Sequence, residues 1–161
     1  MNRHIRGAVI ALIFAISARA TDRVLLPPLL VQNHNPSDPH TRFTLINDRF
    51  HAAYGDDEIR LGIGRTTIHL RFAGANPALT VEAMGPVPGR VNLLKGNDPA
   101  DWATDLQIYS GVVYRNLYPG IDMTWRPHAG GAKTEFLVAP GADVTAIRMI
   151  YSGVKHIHVD Q

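Results

Sequence analysis

The chain has 161 residues, 16 Lys and Arg against 14 Asp and Glu, and no cysteine. That length supports one domain with a self-sufficient core, because a domain of this size buries well over half of the surface its unfolded chain exposes. Without cysteine, a disulfide framework, a zinc–thiolate centre and a thiol nucleophile are excluded.

Residues 1–20 read as a secretory leader, with an uncleaved anchor or a buried first strand as the alternative. Arg3, His4 and Arg6 precede an unbroken apolar run from Ala8 to Ile16, and Ala18-Arg19-Ala20 is a small-x-small cleavage site. The apolar run is far shorter than the roughly 20 residues that span a bilayer. Cleavage after Ala20 would remove Arg3, Arg6 and Arg19, leaving 13 basic against 14 acidic residues. The basic balance belongs in part to the leader, and no Lys/Arg block remains to follow a phosphate backbone. Nucleic acid is therefore not an expected partner, nor is a membrane once the leader is gone.

Residues 21–41 read as a proline-rich lead-in. Pro27-Pro28, Pro36 and Pro39 deny donors to a sheet ladder and fix φ. Leu25, Leu26, Leu29 and Leu30 are positioned to cover a sheet edge or to await a partner. From Arg42 the pattern becomes short β segments. Phe43-Thr44-Leu45-Ile46 opens it, Ile59/Leu61/Ile63 and Ile68/Leu70/Phe72 alternate with polar residues or glycine, and so do Ile121, Met123 and Trp125. Period-2 runs of this kind mark strands with one dry face. Further strands are expected at Leu79–Met84, Arg90–Leu94, Leu106–Tyr109, Val112–Leu117, Thr134–Ala139, Ile147–Tyr151 and Val154–Val159.

The punctuation agrees. Gly74-Ala75-Asn76-Pro77, Gly85-Pro86, Pro88-Gly89, Pro119-Gly120, Gly130-Gly131 and Pro140-Gly141 read as turns, at the spacing of a sandwich or barrel. Helical signal is confined to Asp98–Thr104, with Asn97 or Asp98 as cap and Pro99 at the first position, and to Asp143–Ile147. The expected fold is an all-β, antiparallel β-sandwich of about ten short strands with one or two helical turns, spanning residues 42–161. The last alternating run meets Asp160-Gln161 without a closing turn, which reads as a strand cut short.

The stretch G-N-D-P-A-D-W (Gly96–Trp102), followed by Y-R-N-L-Y-P-G-I-D (Tyr114–Asp122) and E-F-L-V-A-P-G-A-D (Glu135–Asp143), resembles a domain of unknown function from secreted bacterial proteins. L-R-F-A-G-A-N-P (Leu70–Pro77) and P-G-R-V-N-L-L-K-G-N-D-P (Pro88–Pro99) fit the same pattern, although Leu93 stands where that family usually has an aromatic. The resemblance covers roughly Ile68 to Gly153. It implies a position near the N-terminus of a larger protein, ahead of β-propeller-type SBBP repeats or immunoglobulin-like modules. It supplies no catalytic residues.

Each constellation that chemistry can use has a structural reading beside it. Asn97, Asp98, Asp101 and Asp105 are loop oxygens of the kind Ca²⁺ takes, but Asx residues beside proline also cap helices. His156, His158 and Asp160 share one strand face and offer ligands for a divalent metal. Tyr109 and Tyr118 are the aromatics placed to present ring faces to a saccharide, whereas Trp102, Ile121, Met123, Trp125 and Phe136 are assigned to the core. Asp122 and Glu135 lie on adjacent strands as glycosidase carboxylates do, but nothing nearby would raise either pKa. There is no G-x-S-x-G elbow, and Gly62-Ile63-Gly64 lacks the third glycine of a dinucleotide loop. The expectation is an exported, extracellular, cell-surface or periplasmic module with no enzymatic activity and no cofactor. Its expected partner is a neighbouring module or another surface protein. The alternative is a carbohydrate-binding module acting on a polysaccharide.

Overall fold

A computed structural model describes residues 9–15, 28–47, 50–128 and 131–154. The described strands are β1 (Val9–Ala15), β2 (Leu29–Gln32), β3 (Thr41–Ile46), β4 (Phe50–Gly55), β5 (Glu58–Ile63), β6 (Thr66–Phe72), β7 (Thr80–Leu93), β8 (Ala103–Tyr118), β9 (Ile121–His128), β10 (Gly131–Val138) and β11 (Met149–Ser152). All pairings among them are antiparallel. The sheet order is β1-β10-β9-β8-β2-β3-β4-β5-β6-β11, with β7 beside β8.

This one sheet folds over on itself into two packed layers, an antiparallel β-sandwich. Alternation in β3 to β6 sends Phe43, Leu45, Phe50, Ala52, Tyr54, Ile59, Leu70 and Phe72 to the inner face. The β8–β10 layer answers with Val112, Tyr114, Leu117, Tyr118, Ile121, Met123, Trp125 and Phe136. Ring contacts cross the interface: Trp125 meets Tyr54 edge-on at 4.7 Å and Phe50 at 6.5 Å, and Phe72 tilts against Tyr114 at 5.7 Å. Two 3₁₀ turns, Pro99–Asp101 and Val144–Ala146, are capped by the Asp98 and Asp143 carboxylates, as the Asx-Pro and Asp-x-Thr sequences suggest.

The long strands β7 and β8 each replace two expected short ones. Gly85-Pro86 and Pro88-Gly89, expected as turns, lie inside β7. That strand has a neighbour on one side only among the described residues, so proline costs it no ladder bond on the open side. The chain absorbs Gly89, at φ 106°, in a register shift between Val87 and Arg90. Gly111 lets β8 run straight through the layer change, since a Cβ there would lie 2.7 Å from the Trp125 carbonyl oxygen.

A further departure lies near the N-terminus. Leu29–Gln32, assigned to the lead-in, is an integral strand between β3 and β8. Leu30 and Val31 are fully buried in it, because the prolines at positions 27 and 28 precede the ladder instead of interrupting it. Val9–Ala15, inside the segment read as a leader, lies along β10 from Val9 opposite Leu137 to Ala15 opposite Gly131.

Candidate functional site

A cleft of about 760 Å³ opens at one end of the sandwich. Its floor is Phe43 of β3 and Phe72 of β6, with Leu79 and Val81 beside them. Its rim is Gln32 at the end of β2, Arg42 of β3, the Asp56-Asp57 turn between β4 and β5, and the loop Gly74–Thr80.

The rim is held from beneath. The Tyr114 hydroxyl, reaching across the core from β8, donates to the Gly55 carbonyl at 3.0 Å and so fixes the turn that carries both aspartates. Burial, with Asp56 and Asp57 adding to it, pushes the Tyr114 phenol well above its ordinary pKa, so it remains a donor. Gly55 admits no side chain, because a Cβ would sit 2.9 Å from the His40 carbonyl oxygen. On the far side, Asn76 donates its N–H to the Leu117 carbonyl at 2.9 Å, and its Oδ1 accepts the Ala78 N–H at 2.9 Å. That Asx turn folds the loop back over the cleft.

The electrostatics follow from these positions. Arg42 grips Asp56 in a two-pronged pair, Nε to Oδ1 at 2.9 Å and Nη2 to Oδ2 at 2.7 Å. The hydrogen bonds and charge of Asp56 raise the Arg42 pKa further, outweighing a small burial cost. Asp57 makes no ion pair among the described residues, so the rim carries one net negative charge with donors and acceptors mixed around it.

The remaining candidates fall elsewhere. Tyr109 is half-buried with its ring edge-on to Phe43 at 6.0 Å. Tyr118, expected as an exposed ring, is only 1 % exposed. Its hydroxyl donates to the Arg148 carbonyl at 3.1 Å and accepts the Arg148 N–H at 3.2 Å, which ties β8 to the chain entering β11. Tyr118 therefore presents no ring face. Ile121, Met123, Trp125 and Phe136 are buried.

Trp102, assigned to the core, is 39 % exposed and donates Nε1–H to the Gly96 carbonyl at 3.3 Å. The turn that anchors it stands at the tip of a two-stranded ribbon, not against the sandwich. In that ribbon Arg90, Val91 and Leu93 pair with Gln107, Leu106 and Ala103, and neither strand has another partner there among the described residues. The tip, residues 94–102, is exposed throughout, with Leu94 at 59 %.

Asn97, Asp98 and Asp101 are exposed at this tip, and the Asp98 carboxylate is occupied by the Ala100 N–H at 2.9 Å. Asp105 sits at φ 57° on a bulge held by Asn92. Among the described residues no group of three or more His, Cys, Asp or Glu side chains converges as metal ligands do. His156, His158 and Asp160 lie outside the described residues.

Asp122 and Glu135 are both engaged. Asp122 accepts from Arg115 at 2.9 Å and from the Asn116 N–H at 2.6 Å, clamping a bulge in which Asn116 takes φ 52°. Glu135 pairs with Lys133 at 2.8 Å, whose hydrogen bond lowers the Glu135 pKa. The lowered pKa keeps the Glu135 carboxyl ionised, so Glu135 is not poised as the proton donor that glycoside cleavage needs.

These features define an all-β module whose described residues offer a polar cleft and an exposed ribbon. The chain belongs to the family described as "Domain of unknown function (DUF7948)", which matches residues 31–161. No curated protein and no solved structure matches it.

Proposed function

We propose that this domain is a non-enzymatic structural or adhesive module near the N-terminus of a larger exported bacterial protein, of the kind that carries SBBP repeats or immunoglobulin-like modules. The leader-like residues 1–20 support export. The observation that carries the structural role is the ribbon. A lone two-stranded hairpin is marginal in water, and Leu94 and Trp102 gain free energy only when another surface covers them. The ribbon is therefore the docking element, and its partner is the neighbouring module of the same polypeptide.

Hydrogen exchange tests this. Amides of residues 94–102 should exchange fast in the isolated domain and become protected in the native polypeptide with its neighbouring module. Trp102→Ala should abolish that protection while leaving the sandwich melt in place. Equal exchange in the two forms would remove the docking role.

A further inference from the structure

The geometry points to the cleft between Arg42, Asp57 and the Gly74–Thr80 loop as a binding site for a neutral saccharide, a function separate from docking through the ribbon.

Three properties select that ligand class. The volume, about 760 Å³, lies in the range of small-molecule sites, roughly 300–1,000 Å³. The rim mixes unspent donors and acceptors among the described residues. Asn76 Oδ1 is committed to its own turn but Nδ2 is not, Arg42 spends Nε and Nη2 on Asp56 and leaves Nη1, and the Asp57 carboxylate and the Gln32 side-chain amide have no partner. A hydroxyl group both donates and accepts, so a polyol satisfies such a rim from either side. The part-exposed Leu79 and Val81, over the buried rings of Phe43 and Phe72, offer apolar surface to the C–H face of a pyranose ring.

Charge excludes the neighbouring classes. An anionic ligand meets Asp56 and Asp57 with one guanidinium that is already paired. A cationic ligand finds Asp57 but leaves the Asn76 and Arg42 donors facing a positive group. The rim is also built before any ligand arrives, because Tyr114 and the Asn76 turn fix its two sides. Neither Tyr109 nor Tyr118 takes part.

The test is calorimetric titration of the purified chain with neutral trisaccharides built from glucose, galactose or N-acetylglucosamine, beside trilysine and a hexuronate trisaccharide. At least one neutral trisaccharide should bind saturably. Asn76→Asp keeps an oxygen to accept the Ala78 N–H while it exchanges the Nδ2 donor for a charged acceptor, and Asp57→Asn removes a charge isosterically. Each should weaken binding about tenfold, as loss of one hydrogen bond to the ligand does, with no change in melting temperature. Gln32→Ala, on the exposed rim, gives a third reading if either variant folds poorly. Absence of binding by every neutral trisaccharide, unchanged affinity in all variants, or preference for trilysine or the hexuronate would each overturn the proposal.

Discussion

Trp125→Ala is the sharpest probe of how the two layers are joined. The indole is 4 % exposed and lies between Tyr54 and Phe50 of the facing layer. Removing a buried Trp costs about 3–5 kcal/mol in lost transfer energy and residual cavity. The two edge-on ring contacts add about 0.5–1.5 kcal/mol each beyond area, which places the loss near the top of that range. The site cannot easily collapse, since β9 is laddered on both sides. With a urea slope of about 2 kcal/mol per molar, the midpoint should fall by about 2 M. The control is Trp102→Ala, which deletes a part-exposed ring and one surface hydrogen bond and should cost under about 1 kcal/mol. Urea melts followed by far-ultraviolet circular dichroism compare the two without relying on Trp fluorescence. An unchanged midpoint for Trp125→Ala, or equal losses for both, would refute the two-layer packing.

Tyr54 is fully buried and its hydroxyl has no hydrogen-bond partner among the described residues, so Tyr54→Phe should be neutral or stabilising by about 1 kcal/mol in the same melt; a loss above that would reveal a partner for the hydroxyl. Asp122→Ala should cost about 1–2 kcal/mol by freeing the Asn116 N–H and Arg115, and a null effect would show that the bulge holds itself. Burial pushes the Glu58 carboxyl up, but hydrogen bonds and charge from Arg71 and His69 outweigh it and hold the group below its ordinary value of 4.5. A depressed folded-state pKa means the stabilisation is complete above about pH 4.5 and fades as the pH falls through the folded value; acid melts of Glu58→Gln should lose that slope. Mass spectrometry of the exported protein should find Thr21 at its N-terminus, and a mature species retaining residues 1–20 would contradict the leader reading.

Much of the sandwich was legible because alternation survives wherever one face is dry. Ile121, Met123 and Trp125 read as one buried face, and they are. β4 escaped notice although Phe50, Ala52 and Tyr54 alternate, because its small alanines and His51 carry little β signal. β2 was hidden by its prolines, which are local, whereas the burial of Leu30 depends on β3 and β8 arriving from far along the chain. The break expected at Pro88-Gly89 in β7 shows that such a pair can mark a bulge instead of a turn when a strand lies at an edge. The cleft was not legible at all. Gln32, Arg42, Asp57 and Asn76 lie on four separate segments with no common spacing, and only the folding of the sheet brings them to one rim. Trp102 was misplaced because an aromatic beside a capped turn reads the same whether the turn packs inward or stands on a ribbon.

β8 gives the molecule a particular order of assembly. Strands β2 to β6 form a meander of neighbouring hairpins, which pair as soon as each is available. Their apolar face, though, stays uncovered until residues 103–118 supply the strand that pairs β2 and starts the opposite layer. The Tyr114–Gly55 tie alone closes a span of 59 residues. Such closures come late, because the entropy of bringing distant segments together must be overcome before their contacts form. A chain emerging from a ribosome or a translocation pore therefore passes through a stage in which half the sandwich is present and greasy. Chaperone dependence should end once β8 and β9 have emerged, so the vulnerable interval is set by the length of polypeptide between β6 and β9.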